Sequence, residues 1–168
     1  MRIGVISDTH DRLPTMRQAL ATFAREGVGA VLHAGDLVAP FAAKLLSGRD
    51  LPRGAALHVV YGNNDGERAG LAAILPQITD GPLRLRLAGV AVVMVHDETV
   101  LTPAEVEGAD VVVVGHTHEP VNERRDGRLV LNPGEACGWV TGRCTAAVLD
   151  TETITARIID LQPEPEPD

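Results

Sequence analysis

The sequence contains few aromatic residues, few cysteines and no long apolar segment. Only four of its 168 residues are aromatic, too few for the stacking platforms that bind single-stranded nucleic acid. The two cysteines, Cys137 and Cys144, are too few for a disulfide framework and lack Cys-x-x-Cys spacing, so we expect free thiols in a reducing cytoplasm. No apolar run approaches the ~20 residues that cross a bilayer, so neither a membrane segment nor a signal peptide is predicted.

Positive charge is also scarce, with 15 Lys and Arg against 23 Asp and Glu and a formal net charge of −8. This balance argues against nucleic-acid binding, because phosphate backbones are held mainly by clustered Lys and Arg. A small anionic substrate stays compatible with it, since bound dications reverse the local field. The length predicts one domain, at 1–161, and the Pro- and Glu-rich tail at 162–168 is predicted to be disordered. A homo-oligomer is left open.

The first half of the chain alternates apolar strands with helices. After a first strand near the N-terminus, Leu13, Met16, Leu20 and Phe23 recur at helical spacing. The alternation predicts a parallel sheet with right-handed crossovers. The other elements predicted here are strands at 30–33 and 56–60 and helices at 40–46 and 67–75.

The second half is richer in strands and hairpins. Asp126-Gly127 predicts a hairpin between strands at 121–125 and 128–131. Thr102-Pro-Ala-Glu105 is a capping box that predicts a short helix. The two halves are therefore expected to form two sheets of one domain. Further strands are predicted at 83–87, 90–95, 111–114, 144–149 and 153–161.

Polar side chains suited to metal binding follow the apolar strands in both halves. Open α/β sheets place their sites at the carboxyl ends of strands, and carboxylates with imidazoles suit a divalent cation. Taken singly, Asp36 fits a helix cap, Asn63 a turn residue and His96 a semi-buried histidine. Their regular recurrence favours one common site. The candidate residues are Asp8, His10, Asp36, Asn63, His96, His116 and His118.

As an ordered set these motifs resemble those of the calcineurin-like metallophosphoesterase superfamily. The short length and the form Gly62-Asn-Asn-Asp65 are most similar to its small bacterial and archaeal phosphodiesterases, the YfcE-like group. The resemblance covers roughly residues 1–135 and includes the loop Asn132-Pro-Gly134. It implies an α/β fold: a single-domain αββα sandwich of two mixed β-sheets flanked by helices, with a metal site at the carboxyl ends of the strands.

The resemblance also implies two divalent transition-metal ions, with Mn as first choice and Fe, Zn, Ni, Co or Mg as alternatives. Asp36 would bridge the ions, and Asp36, Asn63 and His96 would be the catalytic residues. The implied ligands are Asp8, His10, Asp36 and His118 for the first ion and Asp36, Asn63, His96 and His116 for the second.

The implied reaction is hydrolysis of a small phosphate ester, with a diester as the first choice, by attack of a metal-bridging water or hydroxide. Two alternatives stay open: a phosphomonoesterase that uses the same site, and a retromer-subunit-like interaction scaffold with a vestigial metal site.

Two positions depart from the family pattern. Asn64 stands where many members carry a histidine that acts as acid or electrostatic stabiliser, and an amide supplies no proton at neutral pH. Asp97-Glu98 follows the ligand histidine where Gly-His is frequent. Asp11 and Asp65 fit contacts to the ligating histidines and fit helix caps or loop residues equally well.

Overall fold

The computed structural model describes residues 1–48 and 50–162. The tail predicted at 162–168 lies outside the described residues, except for Gln162. The helices are α1 (Leu13–Glu26), α2 (Pro40–Ser47) and α3 (Arg68–Ile74), with 3₁₀ turns at Glu98–Val100 and Pro103–Glu105. The strands are β1 (Arg2–Ile6), β2 (Ala30–His33), β3 (Ala56–Val59), β4 (Leu83–Leu87), β5 (Val90–Met94), β6 (Val111–Val113), β7 (Val121–Arg125), β8 (Arg128–Asn132), β9 (Cys144–Asp150) and β10 (Thr155–Leu161).

The strands form two mixed five-stranded sheets. The first has the order β10-β9-β1-β2-β3, and the second has the order β4-β5-β6-β8-β7. In the first sheet β1, β2 and β3 are parallel, because each intervening helix returns the chain to the same end. In the second sheet β5, β6 and β8 are parallel, and β4 and β7 pair antiparallel at the edges. The predicted pair of sheets is confirmed.

The interior between the sheets is filled by alternate residues of the central strands. Along β1, Ile3 and Val5 are fully buried against the second sheet, whereas Ile6 packs under the helices. Gly4 also faces the helices, and a Cβ atom there would come within 2.6 Å of the Phe23 ring. α1 therefore packs directly on the β1 backbone, which fixes the start of the loop between them.

The outer layers differ between the two sheets. The three α-helices cover the first sheet. On the second sheet, Val112 and Val114 pack beneath Leu101 and Val106, which belong to the segment around the 3₁₀ turns. The capping box at Thr102 is present, but the helix it begins is a single 3₁₀ turn. The predicted architecture of two mixed sheets flanked by helices is confirmed, with one outer layer reduced to these short turns.

The two sheets present carboxyl ends of their parallel strands at one edge of the sandwich. His96, which follows β5, contacts the carbonyl of Ala34, which follows β2. Loops from both sheets therefore meet there, and they carry the candidate site. None of the helices in the described ranges has the length and apolarity to span a membrane.

Candidate metal centre

Asp36 lies at the middle of the candidate metal centre. Its Oδ2 is 3.5 Å from Nε2 of His10 and 3.4 Å from Nε2 of His96. The carboxylate is almost fully buried. One oxygen therefore faces imidazoles that come from two different sheets.

Asn63, in the loop after β3, joins the histidines of the second sheet. Its Oδ1 lies 3.0 Å from Nε2 of His96 and 2.9 Å from Nδ1 of His116. The rings of His96 and His116 pack edge to face, with centroids 5.2 Å apart. Together with Asp36, these side chains form one ligand-like cluster.

A second cluster gathers around Asp8. Its Oδ1 lies 3.5 Å from Nε2 of His118, and the rings of His10 and His118 stack with centroids 5.3 Å apart. Potential ligand atoms of Asp8, His10 and Asp36 lie within 4.8 Å of one another, so the two clusters meet at Asp36. The fold thus brings all seven predicted ligand side chains together, while their role as ligands stays a prediction.

The backbone under these side chains is strained. Five of the seven residues have a positive φ, which non-glycine residues seldom adopt: Asp8 at 51°, His10 at 37°, Asp36 at 59°, His116 at 68° and His118 at 65°. Backbone hydrogen bonds between loops hold this conformation, including those from the Asp8 N–H to the Gly35 carbonyl and from the Cys137 N–H to the Asp8 carbonyl. The loops are fixed by the protein itself.

Neighbouring acceptors determine which nitrogen of two histidines points into the centre. Nδ1 of His96 lies 2.8 Å from the Ala34 carbonyl oxygen, and Nδ1 of His118 lies 2.8 Å from Oε2 of Glu135. Because both partners accept, each Nδ1 carries a proton, and in the neutral ring Nε2 presents its lone pair to the centre. Those lone pairs face carboxylate oxygens, which also only accept.

Converging acceptors of this kind fit a cation. Among the described residues, Oδ1 of Asp8 and Nε2 of His10 are buried without a hydrogen-bond partner, which is costly unless an ion satisfies them. Carboxylate, amide and imidazole groups suit divalent transition metals. The side chains present therefore fit a metal centre.

The pKa shifts of these buried groups also fit a metal centre. Burial raises the pKa of Asp8. Burial also opposes ionisation of Asp36, but hydrogen bonds from His96 and Asn64 hold its pKa well below the usual range. Burial disfavours the charged form of His96, yet its hydrogen bond to Asp36 and their attraction raise the pKa of this imidazole. A cation bound between these groups would favour the ionised carboxylates and would compete with a proton for Nε2 of His96.

The family model of the calcineurin-like phosphoesterase superfamily domain matches residues 1–154. The chain belongs to this superfamily. A phosphodiesterase from Methanocaldococcus jannaschii is 41% identical over 170 residues, covering 96% of this chain and 100% of that protein.

Solved structures agree with the membership in the phosphoesterase superfamily. An archaeal phosphodiesterase is 40% identical, with a TM-score of 0.85 over 96% of this chain and 100% of that one. The phosphoesterase YfcE from E. coli shares the fold, with a TM-score of 0.70 and 20% identity over 96% of this chain and 100% of its own. The predictions of the family and of a metal-dependent phosphoesterase are confirmed.

Glu135 is a buried carboxylate of this phosphoesterase that sequence reasoning missed. Its Oε2 accepts from His118, and its Oε1 accepts from the backbone N–H and the hydroxyl of Thr141. Burial would raise the pKa of Glu135, but the hydrogen bonds from His118 and Thr141 lower it to about 2. The sequence feature that could have indicated Glu135 is its position directly after the loop Asn132-Pro-Gly134.

Asp65 and Asp11 act on the loops of the phosphoesterase rather than on its histidines. Asp65 accepts hydrogen bonds from the backbone N–H groups of Asp36, Val38 and Gly62, at 3.1, 2.7 and 2.7 Å. Asp11 accepts from the N–H of Ala39, just before α2. Of the two roles left open by the sequence, these hydrogen bonds match that of loop or cap residues.

The two departures from the family pattern have definite contacts. Asn64 donates to Asp36 twice, from its backbone N–H at 2.8 Å and from its side-chain Nδ2 at 2.7 Å. Asp97 is fixed by the N–H and the hydroxyl of Thr99, both 2.8 Å from its Oδ1. Its Oδ2 lies 3.9 Å from Nε2 of His116. The candidate centre therefore has an amide at one side and a carboxylate at the other.

Proposed function

We propose that this phosphoesterase is a phosphodiesterase that uses two divalent transition-metal ions, with Mn²⁺ as first choice. The observation that carries the proposal is the position of Asp36, whose Oδ2 lies 3.5 Å from His10 and 3.4 Å from His96. Two cations bound by neighbouring sets of side chains would repel, and a carboxylate that belongs to both sets would offset that repulsion. The 41% identical phosphodiesterase supports the same reading.

Each ion has a matching set of side chains. Asp36 belongs to both sets, because its carboxylate lies between the two clusters. Imidazole nitrogens in both sets favour Mn, Fe, Zn, Co or Ni over a magnesium-only centre. The sets are Asp8, His10, Asp36 and His118 for the first ion and Asp36, Asn63, His96 and His116 for the second.

When bound, such ions supply an activated water at neutral pH and offset the charge on phosphate. The protein's part is to fix the groups around them. The Ala34 carbonyl orients His96, and Glu135 orients His118. Asn64 donates its amide to Asp36 and has no proton to give at neutral pH. The leaving oxygen is therefore expelled without an acid at this position.

The charge at the rim favours a diester over a monoester. Hydrogen bonds from the Thr99 backbone and hydroxyl lower the pKa of Asp97, so this carboxylate is ionised at neutral pH. It lies beside His116, at the edge of the centre. A monoester brings two negative charges near Asp97, whereas a diester brings one and a neutral ester group.

We also assign this activity to one domain at residues 1–161 and to the cytoplasm. β10 ends at Leu161 and completes the first sheet. Cys137 and Cys144 are both free and buried, as suits a reducing compartment.

The test is a panel of mono- and diesters assayed with several metals. Protein from which metal has been removed with a chelator should be inactive on bis-p-nitrophenyl phosphate, and Mn²⁺ or a similar ion should restore turnover. In Asp36→Asn, added metal should not restore turnover, because the substitution weakens the binding of both ions. The matched variant Asp126→Asn, at an exposed hairpin turn, should regain turnover with metal as the native chain does. No turnover of any ester with any metal would contradict the proposal and favour an interaction scaffold. Faster turnover of monoesters than of diesters would replace it with a phosphomonoesterase.

A further inference from the structure

A single tryptophan stands at the edge of the candidate metal centre. Trp139 is the chain's only tryptophan, and 61% of it is exposed. Its indole Nε1 lies 3.5 Å from the carbonyl oxygen of His10, a residue of the first ligand set. Cys137 lies two residues earlier in the chain, and its Sγ is within 4.8 Å of a ring nitrogen of His10 and of a ring nitrogen of His118. An exposed ring is therefore attached directly to the rim of the centre.

Arg12 holds this ring in place. Its guanidinium carbon lies 4.6 Å from the centroid of the indole, and its Nη1 donates to the carbonyl of Cys137. Gly138 lets the loop approach this closely, because a Cβ atom there would lie 2.6 Å from Cys144 Sγ and 3.3 Å from Arg12 Nη1. Arg12 thus lies over the ring and ties down the loop that carries it.

The exposure of Trp139 leaves ring surface free for a partner. Large apolar side chains are usually buried, and a fixed, exposed indole beside a site provides a flat surface with little entropy left to lose. A phosphodiester bound at the centre carries two ester groups that extend away from the phosphorus. Because Trp139 contacts the His10 carbonyl, its ring lies beside the rim from which such a group would extend.

We propose that Trp139 is a specificity-determining residue that stacks on a planar aromatic ring of the phosphodiester substrate, either an aryl group or a nucleobase, and that Arg12 is its positioning residue. The proposal rests on the proposed function, because it needs a phosphodiester in the centre. It adds the class of ester group that the site selects. Stacking of aromatic rings in this way is a recurrent source of affinity that tolerates different ring systems.

The test compares two non-hydrolysed ligands with the Mn²⁺-loaded full chain. Methyl(phenyl)phosphinate and dimethylphosphinate carry the same single charge, have no ester bond to hydrolyse, and differ by the ring. Because Trp139 is the only tryptophan, its fluorescence reports directly on contact with the ligand. We expect the phenyl compound to quench this fluorescence and to bind about tenfold more tightly than the methyl compound.

Variants identify the origin of that preference. Trp139→Leu should remove the roughly tenfold advantage of the phenyl compound and leave the methyl compound unchanged, whereas Trp139→Phe should retain most of it. Arg12→Gln should reduce the advantage without changing the affinity for the methyl compound. The matched control is Val140→Ala, an exposed position next in the chain, which should change neither. Affinities are measured by calorimetry, so they do not depend on turnover.

The outcomes separate this inference from the proposed function. Equal binding of both compounds, or an unchanged preference in Trp139→Leu, overturns the role of Trp139 while leaving a phosphodiesterase intact. Failure of both compounds to bind, together with absent ester turnover, overturns the proposed function and this inference with it. The methyl ester of adenosine 5′-monophosphate distinguishes the two sources of the ring. Tighter binding of this ester than of the phenyl compound identifies a nucleobase, and weaker binding identifies a simple aryl group.

Discussion

Oε2 of Glu135 lies 2.8 Å from Nδ1 of His118, in a contact that joins a fully buried carboxylate to a proposed metal ligand. Glu135 also accepts from Thr141 on its other oxygen, so it cannot turn away from the imidazole without losing those bonds. The pair fixes the tautomer and the direction of His118.

Glu135→Gln should weaken metal binding. A neutral amide holds the His118 ring less firmly and makes its Nε2 a poorer donor to the metal, and loss of such a partner typically costs ~10–100-fold in metal affinity. Calorimetric titration of chelated protein with Mn²⁺ measures the change. Glu119→Gln serves as control, because Glu119 is exposed and directly follows His118 in the chain. Equal affinity in the two variants would show that Glu135 has only a packing role.

Glu135 should also contribute to the loss of stability in acid. Its folded-state pKa is about 2, below the ordinary value of 4.5, so its stabilisation is full above pH 4.5 and is lost as the pH falls towards 2. Urea unfolding of metal-free protein at several pH values should therefore show a shallower decline for Glu135→Gln than for the native chain in this window. Parallel curves would contradict the lowered pKa.

Asn64→His should make the enzyme less sensitive to the leaving group. The native chain has no acid at this position, so rates should fall steeply as the pKa of the leaving alcohol rises, and general acid catalysis contributes ~10²–10⁴-fold where it operates. A series of aryl and alkyl methyl phosphodiesters measures the slope.

Asn64→Ala is the matched control for that substitution. It removes the side-chain hydrogen bond to Asp36 without adding an acid, so it should lower all rates together and keep the steep slope. A shallow slope in the native chain, unaltered by histidine, would show that another group supplies the proton.

Asp8→Asn should stabilise the metal-free protein and abolish its stabilisation by metal. Burial raises the pKa of Asp8, so ionising it at neutral pH costs stability, and an amide could donate to the Nε2 of His118 that lies 3.5 Å from Oδ1. Native protein at Mn²⁺ one hundred times its Kd should gain ~2.7 kcal/mol. Thermal unfolding with and without Mn²⁺ measures both effects. A lower Tm for metal-free Asp8→Asn with an undiminished response to Mn²⁺ would exclude Asp8 as a ligand.

The strands and the positions that follow them could be predicted because both follow local rules. Apolar runs end in polar groups at Asp8, Asp36 and His96, and parallel strands bring such ends to one edge. The extent of the helix at Thr102 could not be predicted, since a capping box marks a start and tertiary packing decides the length. The outcome is one 3₁₀ turn.

Contacts between residues far apart in the chain could not be predicted from the sequence. Glu135 and His118 are 17 residues apart, and Trp139 and His10 are 129 apart. No periodicity links such pairs, so neither contact could be inferred. The two possible roles of Asp65 could not be separated for a related reason, because a carboxylate beside a predicted ligand serves a backbone N–H as readily as an imidazole.

The left-handed backbone at five of the proposed ligands has a consequence for how the centre responds to its ions. Folding has already met the cost of these unfavourable conformations, and inter-loop hydrogen bonds maintain them. An incoming ion therefore finds its donors assembled, and little ordering entropy is left to oppose capture. We expect the same hydrogen bonds to limit how far the loops can adjust to the radius of an ion, so that selection among metals would depend on the tertiary structure as well as on the donor atoms.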